Sequence, residues 1–182
     1  MKSFFILACL LVSTITFAQE KTTNTVAGQT MFYAELGGPG ILFSANIDRR
    51  FTKSALGFGG RIGLGFITTD VLVGTTGPFG SYNYETRSIV TIPLQINYIF
   101  GKSNSVHSME VGAGVTFTGK KIDIFDNNFR RNSPGASAFG TASFMYRKIP
   151  KDGGFTWRIG FTPIIGGGYI QPSGCFGIGF SF

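Results

Sequence analysis

The chain of 182 residues is poor in charge: Asp, Glu, Lys and Arg make up 14% of it, against about 25% in soluble domains. It has one histidine, one tryptophan and two cysteines. So little cysteine excludes a disulfide framework and a thiolate zinc site. Beyond the first 18 residues no segment approaches the roughly 18 to 20 uninterrupted apolar residues of a membrane helix. What is present is 27 Gly, 20 Phe and 43% hydrophobic residues. That content is too apolar for a disordered chain, and no three-residue glycine period marks a collagen. An ordered, Gly- and Phe-rich β protein remains.

Residues 1–18 read as a secretory signal peptide. Lys2 supplies the positive start, residues 4–12 an apolar run, and Thr16-Phe17-Ala18 a small-x-Ala cleavage site before Gln19. Cys9 follows too short an apolar run to be the acylated cysteine of a lipoprotein. Cleavage leaves Cys175 alone, which forbids an internal disulfide and reads as a small residue near a strand end. Residues 19–30 form a short polar tail, and residues 31–182 a single domain.

The main signal in that domain has period two. Val90, Ile92, Leu94, Ile96, Tyr98 and Phe100 fall on one face and Thr91, Gln95 and Asn97 on the other. Met109, Val111, Ala113, Val115 and Phe117 oppose Glu110, Gly112, Gly114, Thr116 and Thr118. Leu56, Phe58, Ile62, Leu64 and Phe66 oppose Arg61 and four glycines. Ile41, Phe43, Ala45 and Ile47 oppose Ser44, Asn46, Asp48 and Arg50. Phe155, Trp157, Ile159 and Phe161 oppose Thr156, Arg158, Gly160 and Thr162, and Phe176, Ile178, Phe180 and Phe182 oppose Gly177, Gly179 and Ser181. With residues 31–36 and 136–146 the count is eight strands.

A soluble sandwich or lipocalin also alternates, but its large apolar side chains fill the interior. Here the second face carries glycines and charges, so the large apolar side chains point outward, into lipid. The fold class is all-β: an antiparallel, up-and-down transmembrane β-barrel of eight strands, both termini on one side. Connections at 52–54, 101–105 and 148–153 are short, and those at 68–84, 119–134 and 165–173 are long. The exception is the tight Gly37-Gly38-Pro39-Gly40 turn; were residues 31–51 one long bulged strand, the count would be seven. Pro93 and Pro163 cannot donate to a ladder and predict bulges or early strand ends.

On these residues the chain resembles the small eight-stranded outer-membrane β-barrel proteins of Gram-negative bacteria, the class of the OmpA transmembrane domain and OmpX. The most specific element is the last strand, where Phe176, Ile178, Phe180 and the terminal Phe182 look like the signal read by the barrel-assembly machinery. Residues 101–114 (GKSNSVHSMEVGAG) and Phe161-Thr162-Pro163 look like segments of other short barrels of this class. The resemblance implies a protein of the outer membrane, in contact with its lipid and lipopolysaccharide. Members range from structural and adhesive proteins to lipid-modifying enzymes, so the class alone does not assign an activity.

The inward face holds Glu35, Asp48 and Glu110 against Arg50, Arg61 and Arg158. An eight-stranded bore is only wide enough to be filled by side chains, so these charges should pair as a plug, Glu110 with Arg61 or Arg158 or both. A narrow or gated pore is the alternative. A lipid A deacylase would need a base, and His107 is the sole histidine. Alternation sends it outward while Ser108 and Glu110 point in, leaving it on an aromatic girdle with Tyr98, Phe100, Tyr146 and Trp157. Lys120, Lys121, Arg130 and Arg131 cluster in one loop that can bind lipopolysaccharide phosphates or an acidic protein partner. Residues 123–128 (DIFDNN) lack the alternate ligands and sixth-position glycine of a calcium loop. No pattern calls for a cofactor or metal, and nucleic acid is no partner for a secreted barrel. The expected role is structural or surface-interacting: envelope integrity, loop-mediated binding, or a subunit of an outer-membrane complex.

Overall fold

The structure, a computed structural model, describes residues 28–76, 81–122 and 136–182. The expected signal peptide and most of the expected polar tail lie outside the described residues, as do Arg130 and Arg131. The strands are β1 (Thr30–Gly37), β2 (Phe43–Arg50), β3 (Gly57–Thr76), β4 (Ser81–Gly101), β5 (His107–Ile122), β6 (Ala136–Lys148), β7 (Gly154–Phe161), β8 (Ile164–Gly166), β9 (Tyr169–Gln171) and β10 (Gly174–Ser181). Eight of them pair antiparallel in the order β1, β2, β3, β4, β5, β6, β7, β10. β10 then pairs back on β1, from Met31 opposite Ser181 to Gly37 opposite Cys175. The result is a closed up-and-down barrel, which leaves no free sheet edge around its girth.

β8 and β9 add a short hairpin, with β8 on β6 and β9 on β8. Thr30 and Phe182 exchange backbone hydrogen bonds of 3.0 and 2.9 Å, which marks the terminal end of the barrel. The connections after β2, β4 and β6 lie at that end, and the remaining ones at the far end.

Alternation accounts for the wall. Phe32, Ile47, Ile62, Leu64, Ile96, Phe144, Ile159, Ile178 and Phe180 stand exposed on the outside, while Asn46, Thr91, Gln95, Asn97, Thr116, Thr141 and Ser143 between them are buried. Near the terminal end, aromatic rings join across strands: Phe58 with Tyr98 at 4.8 Å between centroids, Tyr146 with Trp157 at 5.4 Å, and Phe155 with Phe180 at 6.2 Å.

Several local expectations are corrected. β3 runs to Thr76 and β4 starts at Ser81, so most of the expected 68–84 loop is strand. Its Thr, Val and Tyr residues favour strands whether or not lipid lies beside them; polarity marks the end of the apolar wall, not of the ladder. Thr30 belongs to β1 rather than to the tail.

Ile41 is not on a strand: it takes a left-handed φ of 74° beside the first turn. Leu56 packs inward, against the buried cluster of Met31, Tyr33, Ile99 and Ile149. Pro93 makes no bulge, since Ile62 opposite Leu94 and Gly65 opposite Thr91 keep one register on either side of it. In an antiparallel ladder each N–H serves one neighbour only, so Pro93 forfeits a single bond. Pro163 does end β7, yet β8 resumes the same register on β6. The expected 165–173 loop is therefore largely the β8–β9 hairpin. β1 and β2 are two strands, and the turn between them is Gly38–Gly40.

Candidate functional site

The bore of so small a barrel must be filled by its own side chains, large ones set against small. The inward glycines provide the space. Gly59 lies against the Arg50 guanidinium and Gly63 against the Asn46 amide. A Cβ on Gly177 would fall 2.9 Å from Arg158 Cγ, and one on Gly179 2.5 Å from Tyr33 Cβ. Gly residues on β3 and β10 thus seat the long polar side chains of their neighbours.

Glu35, Asp48, Glu110, Arg50, Arg61 and Arg158 all lie buried in the bore, joined by Arg147. Arg147 and Arg158 are direct cross-strand partners, an arrangement that repels unless an anion lies between. Glu110 is that anion: it pairs with Arg147 Nε and, at 3.3 Å, with Arg158 Nη1. Ser143 Oγ donates to it at 3.4 Å. Asp48 pairs with Arg50 and, at 2.6 Å, with Arg147 Nη2, and Asn97 Nδ2 donates to it at 3.0 Å.

Glu35 faces Arg158 Nε at 3.3 Å and Arg61 Nη1 at 3.5 Å, and the Cys175 thiol donates to it at 2.7 Å. Arg61 therefore pairs with Glu35, whereas Glu110 takes Arg147 and Arg158. Tyr33 stands at the centre. Its hydroxyl accepts from Arg61 Nη1 at 2.9 Å and Arg158 Nη1 at 2.8 Å. The Arg158 guanidinium carbon lies 4.8 Å from its ring centroid, within cation–π range.

Two apolar clusters bound these charges. At the terminal end Met31, Ile99 and Ile149 are buried together with Leu56 against them. At the far end Ile89, Phe139 and Ile164 are buried, with Ile41 and Ile67 packed on them. Beneath the far cluster, the Gly38–Gly40 turn folds into the bore, all three residues buried. It crosses to the opposite wall. Thr116 Oγ1 on β5 donates to Pro39 O at 2.8 Å, and Thr91 Oγ1 on β4 donates to Gly40 O at 3.2 Å. Gly37, with φ 71° and ψ −153°, occupies a region that essentially only glycine reaches. A Cβ on Gly38 would meet Cys175 Sγ at 2.9 Å.

The other sequence-derived residues are dispersed. His107 is exposed on the outer wall, its Nδ1 hydrogen-bonded to Tyr146 Oη, while Ser108 and Glu110 are buried inside. The structure does not bring the three together. Phe176, Ile178, Phe180 and Phe182 are exposed along the last strand and its end. Lys120 is exposed, and Lys121 falls on β5 near its end.

Reading by residue type overlooked Arg147, Tyr33 and the role of Cys175. Arg147 had a usable signal: continuing the alternation of Phe139, Thr141, Ser143 and Met145 one step further places it inside.

The fold is that of the small eight-stranded barrels found in outer membranes. In particular, it is similar to the crystal structure of the N-terminal β-barrel domain of Pseudomonas aeruginosa OprF, with a TM-score of 0.53 and 12% sequence identity over 86% of this chain and 99% of that domain. No family model matches the sequence, and no curated protein matches it.

Proposed function

We propose that this protein is an integral outer-membrane barrel with a closed bore, whose role is structural or lies in what its far-end loops touch. The terminal end is then periplasmic and the far end extracellular. The exposed apolar wall and the ring of aromatics near one end support residence in lipid. One observation carries the closure: the Gly38–Gly40 turn spans the bore over an ion-paired core, held on the far wall by Thr91 and Thr116. Water-filled channels belong to barrels of many more strands.

On this reading Phe176, Ile178, Phe180 and Phe182 guide assembly through the barrel-assembly machinery. Lys120, Lys121, Arg130 and Arg131 offer phosphate-binding charge to lipopolysaccharide, or meet an acidic protein partner. Envelope integrity, loop-mediated adhesion and membership of a larger complex are all compatible with a closed barrel. A lipid A hydrolase gains no support from the placement of His107 opposite in direction to Ser108 and Glu110. The test is reconstitution in planar bilayers together with heat-dependent gel mobility. A heat-shifted band without steady conductance is the expected result; a stable open conductance would overturn the closed bore, and extraction by carbonate the membrane assignment.

A further inference from the structure

The charges in the bore do not balance. Between the two apolar clusters the described residues place Arg50, Arg61, Arg147 and Arg158 against Glu35, Asp48 and Glu110, one cation in excess. A buried charge without a counter-charge is among the costliest features a protein can carry. Each arginine contacts a carboxylate, so three acids are shared among four cations, and Arg61 has the longest of these contacts, 3.5 Å to Glu35. Arg61 spends Nη1 on Tyr33 and Glu35, while its Nε and Nη2 have no hydrogen-bond partner. Gln95, its direct cross-strand neighbour, has both amide atoms unpartnered. Next in the same row comes Gly114, which has no side chain, and then Thr141, whose hydroxyl is also unpartnered.

All three side chains are on the inward face and at most 4% exposed. Unpartnered groups this deeply buried are rare and call for an explanation. Here side chains from β3, β4 and β6 share one row of the ladder, beside the cation with the longest ion-pair contact. We propose that the row formed by Arg61, Gln95 and Thr141 holds a small monovalent inorganic anion of chloride type as the missing counter-charge. The Arg61 Nε and Nη2 edge supplies the charge-assisted donors, and the Gln95 amide and Thr141 hydroxyl complete the shell. Asn46 Oδ1 and Gln95 Oε1 are unpartnered acceptors in the same region; water satisfies them but supplies no negative charge. The inference uses the bore geometry alone and holds whether or not the loops bind a partner.

The test uses the full mature protein refolded in detergent or lipid. Its urea midpoint is measured at constant ionic strength while chloride replaces gluconate, an anion too large for the row. In the wild type the midpoint should rise with chloride and saturate as the site fills. Gln95→Glu places a carboxylate in the row and should make the midpoint independent of chloride. Arg61→Gln removes the surplus cation and should do the same. Crystals soaked in bromide give a readout independent of folding, an anomalous peak beside Arg61. A chloride effect that persists undiminished in Gln95→Glu would locate it at the surface and overturn the proposal. So would equal wild-type midpoints in the two salts, or water alone beside Arg61 in bromide.

Discussion

Glu110→Gln isolates the charge that holds Arg147 and Arg158 together. The substitution keeps the shape of the side chain and its acceptor for Ser143, so no cavity opens and the loss is electrostatic. Glu110 is buried, and its two arginine partners are themselves cross-strand neighbours. Removing one member of a buried pair costs about 3 to 5 kcal/mol, chiefly because the other is left unpaired. Arg147 keeps Asp48 and Arg158 keeps Glu35, which places the expected loss in the lower part of that range. With an unfolding slope of about 2 kcal/mol per M of urea, the midpoint falls by roughly 1.5 M.

Lys120→Ala, at an exposed position, should change stability by about 0.5 kcal/mol or less. The assay is reversible urea unfolding in lipid, followed by tryptophan fluorescence and gel mobility. Equal midpoints for Glu110→Gln and Lys120→Ala would refute the reasoning. Glu110→Gln combined with Arg147→Met also removes the cation that then shares Asp48 with Arg50. The double variant should therefore be more stable than additivity allows, with a coupling of about 0.5 to 3 kcal/mol.

Gly37→Ala forces a Cβ onto the Gly174 carbonyl and a backbone conformation that costs about 1 to 3 kcal/mol. The Gly38–Gly40 turn, the cross-bar of the bore, should shift, and bilayer recordings should show openings absent from the wild type; silent recordings from a folded variant would count against the turn as the closure. Phe182→Ala alters an exposed side chain, so folded stability should barely change while the amount of heat-modifiable protein in the membrane drops; normal membrane levels would remove the assembly role of that residue. His107→Gln should leave both folding and the lipid A profile unchanged, and acyl loss with wild type but not with the variant, read by mass spectrometry, would establish a hydrolase.

The barrel was legible in the sequence because period two and an outward apolar wall are written residue by residue. Phe58 to Phe66 and Val90 to Tyr98 send their large apolar side chains to one face, and their exposed and buried positions follow that pattern. β6 was less legible, since Ala138, Gly140 and Ala142 are small enough for either face, and Arg147 was lost with it. The cross-bar was illegible for a different reason. Gly-Gly-Pro-Gly specifies a tight turn, but its fall into the bore is decided by Thr91 and Thr116, more than 50 residues away on the opposite wall. The inward Ile89, Ile99 and Phe139 broke the rule that apolar means outward. They sit towards the two ends, where the bore needs covers rather than charges.

The buried charges also do something that a purely apolar filling would not, which is to fix the register of the strands. A slip of one residue sends every inward side chain of a strand to the outer face, which is the lipid face in the proposed membrane setting. For β7 such a slip would expose Arg158 to lipid and drive Trp157 and Ile159 into a bore already occupied by Tyr33. For β6 it would expose Arg147, and for β2 both Asp48 and Arg50. An arginine facing lipid at mid-depth costs about 2 to 4 kcal/mol, and the acids left inside would lose their partners as well. Several strands each carry at least one such residue, so a misregistered barrel accumulates penalties around its girth while the native register has its ion pairs. The outer wall of Phe, Leu and Ile tolerates exchange of one apolar residue for another, because lipid imposes no directional demand. Specificity in this fold therefore resides on the inside, in the pairing of Glu35, Asp48 and Glu110 with their arginines, and the outer wall sets only where the barrel lives.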